Sequence, residues 1–215
     1  MKAFINTLFA MVFLTACGQS QSQNLNIPTG QPKSVASPNE QVAYFAEGCF
    51  WHSELVFQSL MGVRDAVSGY AGGKDAHPEY EKVCTGSTGH AETVQVFYDP
   101  AKIDYKTLVR AFFASMDPTQ VDRQGNDAGT QYRSIAFYTS PEQKQVIEDE
   151  IKTLAASGKY HKKIATQVLP YQKFYPAEEY HQEYVSLHPG NAYVQNVSIP
   201  DWLEFKKDFK GKYKE

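Results

Sequence analysis

Only three cysteines occur in the 215 residues, Cys17, Cys49 and Cys84, and none follows Cys84. That excludes the multi-disulfide framework that staples small secreted domains; at most one structural bridge, Cys49 to Cys84, remains open once Cys17 is otherwise engaged. An excess of one charge is also missing, since 21 basic and 24 acidic residues are spread without long runs for a net charge of −3. No nucleic-acid partner is expected from such a balance. Gly72-Gly73 and the stretch from Gly86 to Gly89 lack the spacing and helix context of a phosphate loop or dinucleotide fingerprint. His52, His77, His90, His161, His181 and His188 form no familiar metal pattern with cysteine or carboxylate. Neither a cofactor nor a metal is expected. His161 and His188 read as surface residues, and His181 as a structural histidine or one behind the site.

Long hydrophobic runs are absent but for one near the start. Ala3 to Leu14 is apolar except at Asn6 and Thr7, too short to span a bilayer, and follows the positive charge of Lys2. It leads into Leu14-Thr15-Ala16-Cys17-Gly18, which resembles the bacterial lipobox. The expectation is a signal peptide over residues 1–16 and lipidation at Cys17, with an ordinary secretory signal as the alternative. Gly18 rather than Asp after Cys17 resembles the outer-membrane pattern, so the protein is expected on the periplasmic side of a bacterial envelope, anchored to its membrane. Gly18 to Glu40 is rich in Gln, Ser, Asn and Pro and reads as a disordered tether, its coil reach about 25 Å.

From Gln41 the texture is that of one folded domain, residues 41–215, expected as a monomer. Val42 to Ala46 reads as a strand, Gly48 as a tight turn and Cys49 to Leu60 as a helix. Strands are expected at Gly62 to Tyr70, Glu92 to Tyr98, Ser134 to Thr139 and Ala165 to Leu169. Asp104 caps an expected helix over Tyr105 to Met116, and Ser140-Pro141-Glu142-Gln143 opens another that stops at Gly158. A last helix is expected over Ala177 to Leu187, ended by Pro189-Gly190. The polar stretch from Asp117 to Arg133 is too long to be a plain spacer and is a functional candidate. Interleaved helices and strands give an α+β fold: a single domain with a mixed sheet on a ferredoxin-like split β-α-β core.

Cys49 lies where a helix begins, and unpaired amides and the helix dipole there favour an anion. The expectation is a thiol pKa drawn down toward neutrality and a ready nucleophile. The bland alternative is a small buried apolar filler. Phe50 and Trp51 beside the sulfur can wall an apolar hollow.

Gly48-Cys49-Phe50-Trp51, Gly69-Tyr70-Ala71-Gly72-Gly73, Tyr80-Glu81-Lys82-Val83-Cys84, Gly89-His90-Ala91-Glu92, Gln124-Gly125-Asn126-Asp127 and Gly129-Thr130-Gln131-Tyr132-Arg133-Ser134 follow one another in order. Through these motifs the chain resembles the A-type peptide-methionine sulfoxide reductases over most of Gln41 to Tyr184. The resemblance implies reduction of the S epimer of methionine sulfoxide, free or in oxidised proteins. Cys49 would attack the sulfoxide sulfur, Phe50 and Trp51 would hold the methyl group, and Glu92 would protonate the oxygen from a carboxyl raised by burial. Tyr80 and Tyr132 would hydrogen-bond that oxygen, and Asp127 would position the substrate. By residue type alone Glu92 reads as an ordinary solvent-facing strand residue, Tyr80 and Tyr132 as packing residues and Asp127 as a turn former.

The product on the enzyme would be a sulfenic acid at Cys49. Many relatives carry later cysteines that resolve it; with none here, an external thioredoxin- or glutaredoxin-like thiol protein is the expected reductant and Cys84 a minor resolving route. Competing readings are another thiol enzyme, hydrolase or peroxidase, and a lipid-anchored binding module with Cys49 inert.

Overall fold

The computed structural model describes residues 25–30 and 35–214. The expected signal peptide and Cys17 lie outside them. Strands β1 (Gln41–Ala46), β2 (Val63–Ala71), β3 (Ala91–Tyr98) and β6 (Ile135–Tyr138) form the centre of one sheet; β7 (Gln167–Pro170) and β8 (Phe174–Pro176) form its edges. The order is β7-β6-β1-β3-β2-β8. The four central strands run antiparallel to one another, while β7 joins β6 in parallel, which makes the sheet mixed. Helix α1 (Phe50–Gln58) connects β1 to β2, and α3 (Tyr105–Ala114) lies between β3 and β6. That connectivity and order are the split β-α-β arrangement expected.

Local chemistry accounts for the element ends. The Asp104 side chain accepts from the Thr107 amide and starts α3; Ser140 does the same for Gln143 and starts α4 (Pro141–Ala156). The Gln143 side chain accepts from the Thr139 amide, one residue earlier than the reciprocal bond of an ordinary capping box. Phe45 of β1 stacks between Phe57 of α1 and Phe112 of α3, all fully buried, each worth about 1.5–3 kcal/mol of apolar burial. The opposite sheet face is covered more lightly, by Tyr171 stacked on Tyr44 and by Phe174 and Phe137.

Two expectations fail, and two helices were not anticipated. The segment Ala177 to Leu187, which follows edge strand β8, is not one helix but a 3-10 turn at Glu179–His181 and a four-residue helix α5 (Tyr184–Leu187). Tertiary hydrogen bonds take the backbone and side chains that a helix would need. Glu178 accepts from the Tyr70 hydroxyl and the Tyr80 amide, Gln182 pairs with both backbone groups of Ser68, and the Glu183 amide donates to Glu54. Helices α2 (Tyr80–Cys84) and α6 (Ile199–Asp208) had no clear sequence signal; α6 follows a π-helical turn, Val194–Ser198, and carries Pro200 in its first turn. Nor are all described residues of the expected tether free. Ile27 packs against the core, and Glu40 pairs with Arg64 at 2.7 Å, because an apolar residue and an acid there meet complementary partners on the domain.

Candidate active site

Cys49 is placed by a forced turn. Gly48 has φ +110°, and a Cβ there would sit 2.7 Å from Cβ of Gln124. Glycine is therefore required both for backbone conformation and for space. Cys49 follows as the N-cap of α1, with the amides of Trp51 and His52 facing its sulfur. The thiol is nonetheless held above its ordinary range, chiefly by burial and next by Glu92. This corrects the expected depression: in the unliganded site the amides at the helix start do not offset desolvation, and Cys49 rests as a thiol.

Glu92 reaches Cys49 through strand register. β1 pairs with β3 up to Phe45 opposite Val94, so two further steps bring Glu92 beside the turn that carries Cys49. Its side chain shares the sheet face of Val94, Val96 and Tyr98, all in the main core. Glu92 is 2% exposed and accepts from the Phe50 amide at 3.0 Å. Burial pushes its carboxyl up to about 8, against the Phe50 amide, which lowers it; Asp127 raises it further. At neutral pH it is an acid able to donate.

The remaining motif residues converge on the same hollow. A cavity of about 200 Å³ is lined by Cys49, Phe50, Trp51, Tyr80, Glu92, Asp127, Tyr132 and Tyr193. Tyr80 starts α2, while Asp127 and Tyr132 come from the long polar stretch, folded into a small hairpin, β4 (Arg123–Gln124) with β5 (Asp127–Ala128), and a 3-10 turn. Burial raises both phenols well above their ordinary value, so they remain hydroxyl donors. Trp51 lies flat on Tyr184 at 3.7 Å and donates from Nε1 to Nδ1 of His181 at 3.1 Å. His181 thus fixes the Trp51 wall from behind.

Tyr193 was missed in the sequence. It lies just before the π-helical turn, beyond the last motif, and its hydroxyl donates to Oδ2 of Asp127 at 2.5 Å while facing the Cys49 sulfur. The only signal was its place in an aromatic-bearing segment after Pro189-Gly190 that no motif absorbed. Cys84 ends α2 as a free thiol, raised by burial, with the Tyr80 hydroxyl against its sulfur. His90 is structural: it accepts from the Gly73 amide at 3.1 Å and its other nitrogen meets the Asp75 carbonyl.

A soft nucleophile, an undissociated acid and phenolic donors at one apolar wall suit attack on a polarised heteroatom whose oxygen must be protonated as it departs, which is the chemistry of thiol oxidoreductases. Comparison with known proteins narrows that class. Residues 41–213 match the family model described as peptide methionine sulfoxide reductase, and the chain belongs to this family. It is 50% identical over 171 residues, 80% of this chain and 96% of the relative, to the peptide methionine sulfoxide reductase MsrA of Thermus thermophilus. The solved methionine sulfoxide reductase A of Corynebacterium diphtheriae superposes with a TM-score of 0.66 at 37% identity, covering 76% of this chain and 84% of that one. Mxr1 from Saccharomyces cerevisiae, solved in complex with Trx2, gives a TM-score of 0.51 at 27% identity, covering 71% and 91%.

Proposed function

We propose that this peptide methionine sulfoxide reductase repairs oxidised methionine, in proteins or free, by attack of Cys49 on the sulfur of the S epimer. The reading is carried by one observation: seven residues from five separate motifs line a single hollow. The substrate methyl lies against Phe50 and Trp51, and its oxygen faces Tyr80, Tyr132 and Glu92. Because methyl, oxygen and the methionine chain meet three different walls, only one configuration at sulfur presents all three correctly. Cys49 gives up its proton through Tyr193 toward Asp127, its sulfur bonds to the substrate sulfur, and Glu92 protonates the oxygen. The hydroxyl then passes from the substrate sulfur to the Cys49 sulfur as the substrate S–O bond and the S–S bond break, so methionine leaves and a sulfenic acid remains on Cys49. Supplying the two epimers of a blocked methionine sulfoxide with dithiothreitol tests this. Consumption of the S epimer alone is expected; reduction of neither, or of both alike, removes the reading.

The reductant is a thioredoxin- or glutaredoxin-like protein; the complex of Mxr1 with Trx2 supports that class of donor. Cys84 is a minor route at most, so Cys84→Ser retains repeated turnover with a dithiol. Turnover stopping after one methionine would reverse that assignment. The enzyme is anchored through Cys17 after removal of residues 1–16, on the periplasmic side, in the outer membrane. Membrane fractionation of the wild type and Cys17→Ser tests the anchor: the wild type is expected with outer-membrane lipid and the variant in the soluble fraction.

A further inference from the structure

Cys49 also faces a second cavity, of about 270 Å³, whose lining includes Glu47, His52, Ser115, Asn196 and Asp201. It shares with the substrate hollow only Cys49, Asp127 and Tyr193, and Glu92 belongs to the hollow alone. The hydrogen bond from Tyr193 to Asp127 lies on the seam between them.

This second cavity is lined by buried polar groups that are only partly satisfied. Glu47 is 1% exposed; its Oε2 accepts from the Ser115 hydroxyl at 2.9 Å, while Oε1 makes no well-formed hydrogen bond among the described residues, although the Ser53 hydroxyl approaches the carboxyl. Both His52 nitrogens are shielded and make no well-formed hydrogen bond there, although backbone carbonyls of Ser115 and Ser198 approach. An unpaired buried polar group costs about 1–3 kcal/mol, so packing alone gives no reason to keep either. Burial holds His52 below the ordinary imidazole range and Asp201 opposes it, which describes a neutral base with a carboxylate placed to steady its cation. Neither Glu47 nor His52 has a part in sulfoxide attack.

We infer that this cavity receives the thiol that reduces the Cys49 sulfenic acid, and that His52, whose ring lines it and is held by no well-formed hydrogen bond, turns a nitrogen inward to take that thiol's proton. The inference rests on the sulfenic acid proposed above. Displacement at sulfur is in-line, so the nucleophile enters opposite the departing oxygen. The oxygen leaves toward Glu92, and the cavity that reaches Cys49 without Glu92 is the open approach. In the step, the thiol S–H proton passes to His52 and the new thiolate bonds to the Cys49 sulfur. The S–O bond breaks, and the oxygen takes a proton from Glu92, which solvent has reprotonated after the sulfoxide step, and leaves as water. The thiol and Cys49 end as a mixed disulfide, and the reductant's second thiol then releases reduced Cys49.

Two thiols separate a base from a mere wall. Enzyme converted to the sulfenic acid by one equivalent of methionine sulfoxide is mixed with dithiothreitol, a protonated thiol, or with thionitrobenzoate, which is already a thiolate. His52→Asn is expected to slow loss of the sulfenic acid with dithiothreitol by about tenfold or more while leaving thionitrobenzoate within about twofold of wild type. Equal slowing with both, or no slowing with either, overturns the role of His52. Asn196→Trp, which narrows the cavity from an exposed helical position, is expected to slow both thiols; unchanged rates with both would overturn the route. If wild type forms no sulfenic acid, the Cys49 assignment falls and takes this inference with it.

Discussion

At the scale of the residue, the proposed chemistry depends on a carboxyl kept protonated by burial. Glu92 is an acid below about 8 and a carboxylate above. Single-turnover methionine formation should therefore fall as pH rises through that value. Glu92→Gln should lower the plateau by about 10²–10⁴-fold and remove this descending limb, measured by quenched-flow. Tyr193→Phe deletes the hydroxyl between Cys49 and Asp127. Because Cys49 rests as a thiol, that variant should lose roughly tenfold in the same step. It should also lose alkylation rate with iodoacetamide, which reads deprotonation of Cys49 without substrate.

At the scale of the element, the turn between β1 and α1 is the critical joint. Gly48→Ala must place a Cβ at φ +110° and against Gln124. A stability loss of about 1–3 kcal/mol is expected in urea denaturation, with activity falling further because Cys49 shifts relative to Glu92. Asp104→Ala removes the cap of α3, far from the hollow. It should cost about 1 kcal/mol of stability and leave sulfoxide reduction unchanged, which separates global weakening from damage to the site.

At the scale of the whole molecule, three buried carboxyls, Glu47, Glu54 and Glu92, are each raised to about 8, in every case chiefly by burial. The folded state holds these protons where the unfolded chain, with ordinary glutamates near 4.5, has released them. Stability from this source is complete below 4.5 and is lost as pH rises toward about 8. Thermal melts across that window should show Tm declining and then levelling, and Glu47→Gln should make the decline shallower. The acid proposed for catalysis is thus one of a set whose protonation the fold itself enforces.

The alternation and capping signals reached most of the sheet because they act over a few residues: Asp104, Ser140 and the strand patterns needed no distant partner to be read. Even the burial of Glu92 lay in the chain, since it falls in step with Val94, Val96 and Tyr98, though residue type alone argued for solvent. The residues after Ala177 were misjudged because their helix pattern was local, whereas Glu178, Gln182 and Glu183 are committed to Ser68, Tyr70, Tyr80 and Glu54. By itself, the sequence determined the family, the candidate nucleophile and the order of the strands' segments, all of which are written in neighbouring residues. Only tertiary structure decided the rest: Cys49 rests protonated, Tyr193 joins the site, and a second cavity opens behind the sulfur. Desolvation and enclosure arise only when segments distant in the chain close around the same atoms.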